Sequence, residues 1–178
     1  MLIIIEGVDK SGKSSLIEFL SKNLGNAYTL KIGYRPKDNS IVERQKIVDS
    51  YFKVLKTYKQ NFKDSILILD RFYLSELVYS IKRGYDALDE SLLGDDMRII
   101  KEELENLDTL LIICRPDDAT IAENFKKDKE DYAKIEEIKL LVDRYSKYAA
   151  QLKVKKLPFN YKITKYDTIK MAIKNIKW

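Results

Sequence analysis

Histidine is absent from this 178-residue chain. Without it the commonest general base, Ser–His nucleophilic chemistry and most transition-metal centres are excluded. Cysteine occurs once, at Cys114, so no disulfide can close within the chain. A lone thiol fits a reducing compartment, and a cytoplasmic protein is the expectation. Glycine and proline are sparse, at six and three residues, and no linker, repeat or low-complexity tract breaks the sequence. One domain spanning 1–178 is expected. No apolar run approaches the ~20 residues that cross a bilayer. The opening Met1–Ile5 run meets acidic Glu6 with no basic stretch ahead of it, unlike a secretory leader.

The charge balance is +5, from 33 Lys and Arg against 28 Asp and Glu. The lysines are spread along the chain, so this reads as a lysine-rich surface and not as a nucleic-acid footprint. Phosphoryl transfer survives the lack of histidine, because it relies on positioning, cations and Mg²⁺ more than on a base poised near neutrality.

Apolar runs alternate with helical periodicity, the pattern of a parallel sheet covered by helices on both faces. The expected fold is a three-layer α/β P-loop fold with a five-stranded parallel sheet and a short lid at about 124–132. Strands are expected at Leu2–Glu6, Ala27–Ile32, Ser65–Leu69, Asp108–Cys114 and Tyr161–Thr164. Helices are expected at Lys13–Leu24, from Ser40 to about Lys63 with a break, and at Tyr73–Lys82, Asp95–Asn106, Ala119–Lys127, Tyr132–Leu152 and Asp167–Ile176. Ser40 and Glu43 have the spacing of a capping box.

The chemistry centres on Gly7-Val8-Asp9-Lys10-Ser11-Gly12-Lys13-Ser14, which follows an apolar strand and opens an amphipathic helix. Glycines at the two ends let backbone N–H groups curl around phosphate oxygens, and the helix N-terminus adds partial positive charge. Lys13 can reach the β- and γ-phosphates of ATP. Ser14 can place its hydroxyl on Mg²⁺. Gly7, Asp9, Lys10, Ser11, Gly12 and Ser15 complete the candidate ATP-binding set. A second carboxylate, Asp70, ends the apolar run Ile66–Leu69, where such an acid assists Mg²⁺ or caps the next helix.

Glu6-Gly-Val-Asp-Lys-Ser-Gly-Lys-Ser resembles the P-loop of thymidylate kinases, E-G-[VL]-D-x-x-G-K-[ST]. Asp70-Arg71-Phe72-Tyr73-Leu74-Ser75, followed by Val78-Tyr79, resembles that family's D-R-[YFH]-x-x-S-x-x-A-[YF] motif. The resemblance implies a nucleoside monophosphate kinase that moves the γ-phosphoryl of ATP to a deoxynucleoside monophosphate, dTMP first among them, and it suggests a homodimer. It places Asp9 near the sugar 3′-hydroxyl and the Mg²⁺ shell, and Lys10 where some members carry a loop arginine. It assigns Arg71 to the acceptor phosphate, with Ser75 in the same motif, and Tyr79 to the sugar. Arg35-Pro36-Lys37 falls where the family has a basic, proline-containing loop. Lys13, Asp9, Lys10 and Arg71 are thus the candidate catalytic residues.

The lid segment Lys126–Asp131 carries lysines where members carry arginines, and Glu123 and Asn124 stand where a first arginine is expected. The helix before the third strand lacks the family's base-facing arginine, with Arg44 too early and Val48–Lys53 containing none. Tyr51, Phe52 and Tyr58 could stack on a base or fill the core. A deoxynucleoside kinase, with an acid after the third strand as its base, and a non-kinase ATP-binding regulator are the alternatives.

Overall fold

The computed structural model describes residues 1–32, 37–38, 40–85, 87, 94–127 and 137–176. Arg35, Pro36 and the lid stretch from Asp128 onward lie outside them. Strands β1 (Leu2–Glu6), β2 (Ala27–Lys31), β3 (Ile66–Asp70), β4 (Thr109–Cys114) and β5 (Lys155–Phe159) form one sheet in the order β2-β3-β1-β4-β5. All four pairings are parallel. The helices are α1 (Lys13–Asn23), α2 (Ile41–Asn61), α3 (Tyr73–Tyr79), α4 (Gly94–Asn106), α5 (Asp118–Lys127), α6 (Ile138–Gln151) and α7 (Tyr166–Asn175), with a 3₁₀ turn at Ile81–Arg83.

Strand β1 is central and buried along its whole length. Because successive side chains of a strand point to opposite faces, its four leading apolar residues feed two cores. Ile3 and Ile5 pack with Ile68, Leu110 and Ile112 under α1 and α7. Leu2 and Ile4 pack with Leu67, Leu69 and Leu111 under the remaining helices, α2 through α6. Tyr51 and Tyr58 are buried in this second core, with Phe52 packed against it, so the aromatic stretch of α2 is core and not a stacking surface for a base. Cys114 is a buried free thiol, raised to about 12 by burial, and serves as core.

Helix α2 runs unbroken through Asn61, and Ser40 caps it, its hydroxyl accepting from the Glu43 N–H at 3.4 Å. The last strand departs from the expectation. It lies at Lys155–Phe159, and Tyr161 belongs to the turn after it. Pro158 lacks an N–H and argues against a central strand, yet β5 is an edge, where a missing donor costs no ladder bond. Among the described residues, no helix is long and apolar enough to cross a membrane.

Candidate functional site

Parallel pairing sets the carboxyl ends of β1 and β3 side by side, with Ile5 opposite Asp70. The loop leaving β1 and the Asp70–Arg71 pair leaving β3 therefore emerge together at the sheet edge where α/β proteins gather ligands.

The loop needs both of its outer glycines. Gly7 has φ +144°, and a Cβ there would lie 2.4 Å from the Cys114 carbonyl oxygen. Gly12 has φ +91°, and a Cβ there would lie 2.7 Å from the Tyr161 ring. Between them Lys10 adopts φ +60°, a left-handed backbone that costs a non-glycine residue about 1–2 kcal/mol. Such reversals turn successive N–H groups inward as an anion nest. Gly12 is also the N-cap of α1, whose first turn has neither a side-chain cap nor an acidic residue. The helix N-terminus is thus open to an external anion. Ser14 and Ser15 are exposed there, and Ser11 is buried.

Lys13 is buried, and its Nζ donates to the Val8 carbonyl at 2.5 Å. Burial first, and then the Arg71 charge, hold its ammonium down to about 7 from the ordinary 10.5, against the pull of Asp9 and Asp70. A desolvated cation at the mouth of an N–H nest is a site for a phosphate oxygen.

Arg71 also has a left-handed backbone, φ +67°, and its N–H donates to the Ile5 carbonyl at 3.1 Å. Its guanidinium is surrounded. One Nη donates to the Tyr145 hydroxyl at 3.0 Å and to Ser75 Oγ at 3.3 Å. The other is ion-paired with Asp9 across the loop. The Tyr79 ring lies 5.3 Å below, edge-on to Tyr145, with Tyr79 itself pushed up to about 12 by burial. Asp9, Arg71, Ser75 and Tyr79, all expected from sequence, are thus brought into one cluster.

Glu6 organises this cluster from beneath. It is fully buried, and its carboxylate accepts from the Phe72 N–H at 2.8 Å, the Ser75 N–H at 3.2 Å and Ser75 Oγ at 2.6 Å. These are donors of the first turn of α3, so the end of β1 caps a helix that lacks a side-chain cap of its own. The cap assigned as one option to Asp70 is therefore supplied by Glu6. Burial raises the Glu6 carboxyl, and the three donors oppose that. Tyr51 props the same turn, its hydroxyl donating to the Phe72 carbonyl at 3.1 Å.

Asp70 is half-buried, 3.7 Å from the exposed Lys31 ammonium. Lys37 is exposed, and its N–H donates to Glu43 at 3.0 Å. Its ammonium is not among the hydrogen-bonded groups of the cluster. Sequence reasoning missed Glu6 as a cap, Tyr145 as a partner of Arg71, and Tyr161. Tyr145 falls in a helical core stripe with Leu141, Val142 and Tyr148, and nothing local marks its hydroxyl.

No family model matches the chain, and no curated protein matches it in sequence. Among solved structures it is similar to the YorR protein of Bacillus subtilis, determined in complex with phosphorylated GDP. That likeness has a TM-score of 0.75 and 21% identity, over 98% of this chain and 94% of that one. It is also similar to deoxyadenosine kinase from M. mycoides. With the products dCMP and a flexible dCDP bound, that enzyme gives TM-score 0.63 and 20% identity, over 98% of this chain and 97% of that one. With dATP bound it gives 0.59 and 16%, over 98% of each chain. These likenesses do not single out the thymidylate kinases, and at such identities they speak for the fold alone: the chain has the α/β fold of these proteins, a five-stranded parallel sheet covered by helices.

Proposed function

We propose that the protein transfers the γ-phosphoryl group of ATP to a deoxynucleoside monophosphate. One observation carries the reading: the phosphate nest with Lys13 and the arginine clamp at Arg71 are bridged by the Asp9–Arg71 ion pair. A pure nucleotide binder has no use for a second cationic clamp facing its P-loop. In the reaction an oxygen of the acceptor phosphate attacks the γ-phosphorus, the bond from that phosphorus to the β–γ bridging oxygen breaks, and ADP leaves. Lys13 holds the β- and γ-oxygens, the N-terminus of α1 and the loop N–H groups hold the remaining charge, and Arg71 orients the acceptor phosphate. Its planar fork suits bidentate phosphate oxygens, whereas Lys13 acts as a point charge. Asp9 and the acceptor phosphate compete for that fork. Displaced from it, the Asp9 carboxylate can turn to the sugar hydroxyl.

The oxygen donors present fit Mg²⁺: the exposed Ser14 hydroxyl and the Asp70 carboxylate flank the nest. Ser14 and Asp70 would hold such an ion beside the nucleotide phosphates, where it would supply positive charge against the phosphate oxygens. Among the described residues no group of three acidic or thiol side chains converges, so phosphates and water would supply its other ligands.

The likeness to deoxyadenosine kinase favours a second reading, phosphorylation of a deoxynucleoside at its sugar hydroxyl. That chemistry needs an accessible carboxylate base. Glu6 is buried and fully engaged, which leaves Asp70 and Asp9. Incubation with Mg-ATP and each of a panel of deoxynucleosides and their monophosphates, with product identification, separates the two. Diphosphate from a monophosphate is expected. Monophosphate from a bare nucleoside would establish the second reading, and ADP formation indifferent to any acceptor would contradict both.

The lowered Lys13 ammonium gives a pH signature. At pH 8 the group is mostly neutral in the free protein, and a bound polyphosphate favours its charged form. Mg-ATP binding at pH 8 is therefore expected to take up close to one proton, falling toward none at pH 6. Calorimetry in buffers of differing ionisation enthalpy reads this directly, and an uptake that Lys13→Met leaves unchanged would contradict the assignment. The stability effect follows the same sign. The folded value lies below the unfolded one, so between about 7 and 10.5 the unfolded chain holds the extra proton. Lys13 then makes the free protein gain stability as pH rises through that window.

A further inference from the structure

Asn124 stands in the last turns of α5, where the resembled family would carry a lid arginine, and it contacts the loop. Its side-chain amide donates both hydrogens: one to the Lys10 carbonyl at 3.1 Å, the other to the Tyr161 hydroxyl at 2.6 Å. Tyr161 in turn lays its ring against Gly12, close enough that a Cβ there would meet Cδ1 at 2.7 Å. A tight turn fixes Tyr161 in place, with the Thr164 N–H donating to the Asn160 carbonyl at 2.7 Å and the Lys162 N–H to Asn160 Oδ1 at 3.0 Å.

Two of the loop's left-handed residues, Lys10 and Gly12, are thus held from outside by one hydrogen-bonded pair from α5 and the β5–α7 turn. The peptide at Lys10 is the strained one, and its carbonyl is the one Asn124 grips. Residues this far apart in sequence converge on the backbone of the nest.

We propose that Asn124 and Tyr161 form a latch that positions the phosphate-binding loop, taking the place of a nucleotide contact from α5. The latch rests on the phosphate-binding reading of residues 7–14. It acts on the polyphosphate through the loop backbone and makes no contact with the base or sugar. The latch also ties the loop's shape to the position of α5.

Calorimetry with Mg-ATP and with inorganic tripolyphosphate tests this. The second probe carries the phosphates without base or sugar. Asn124→Ala and Tyr161→Phe are each expected to weaken both probes by the same factor, about five- to tenfold, and the double variant by little more than either alone. Tyr161→Phe keeps the ring against Gly12, so it tests the hydrogen bond even if Asn124→Ala folds poorly. The KM for the acceptor should stay at the wild-type value. A loss confined to ATP would mean that the pair touches the nucleoside, and no loss for either probe would mean that the latch does not hold the loop. Either result overturns the proposal. A wild-type protein that binds neither probe would instead bring down the phosphate-binding reading itself.

Discussion

Lys13→Ala should abolish most phosphoryl transfer, lowering kcat about 10³-fold with every acceptor while the protein still folds. The loop loses the Lys13–Val8 contact in this variant but keeps the backbone reversals at Gly7, Lys10 and Gly12 and the contacts of Asn124 and Tyr161. What disappears is the one buried cation inside the nest. Charge that develops on the β–γ bridging oxygen then has only backbone dipoles and any bound Mg²⁺ to meet it. Folding should hold, because the ammonium is desolvated where it sits, and removing a depressed cation relieves a burial cost as well as leaving space. Lys13→Met, which keeps the length of the apolar stem, separates the two effects. It should match Lys13→Ala in rate and exceed it in stability. Steady-state rates with several acceptors check this, and full turnover in either variant would sink the P-loop assignment.

Arg71→Ala should act on the other substrate. The guanidinium makes two neutral hydrogen bonds, one ion pair and a contact over the Tyr79 ring. Truncating it removes the proposed acceptor clamp and leaves Asp9 without its ion-pair partner. Losing one partner of such a charged pair costs roughly 2–5 kcal/mol, so kcat/KM for the monophosphate should fall on the order of 10²- to 10³-fold. The affinity for Mg-ATP should move by no more than a few-fold. Arg71→Lys should not restore activity, because an ammonium cannot reach Tyr145, Ser75 and a phosphate in one plane. A loss shared equally between ATP and acceptor would mean that Arg71 serves the donor or the fold.

The two contiguous motifs were legible in the sequence because their chemistry is local. Gly7 through Ser14 is one turn of backbone between a strand and a helix, and Asp70-Arg71 sits directly at a strand end. The sheet was legible for a similar reason, since runs such as Leu2–Ile5 and Leu110–Ile112 are buried on both faces and read as continuous apolar stretches. The last strand escaped because an edge tolerates Lys155, Lys156 and Pro158, which erase the apolar signal. The supports of the site escaped for another reason. Arg71 and Tyr145 are 74 residues apart, and Glu6 and Ser75 69 apart. No periodicity encodes contacts of that kind. Glu6 stood in plain view before Gly7, but an acid at the end of a buried strand shows its role only when its three donors are seen around it.

In the proposed reaction the nest at Lys13 and the clamp at Arg71 are two halves of one site. The most direct measurement is calorimetric titration with a bisubstrate compound, adenosine joined to a deoxynucleoside through five phosphates. One molecule should bind per chain, far more tightly than ATP or any monophosphate, and both Lys13→Ala and Arg71→Ala should remove most of that gain. Affinity no better than that of ATP, and indifferent to Arg71→Ala, would mean that the nest and the clamp do not share one site.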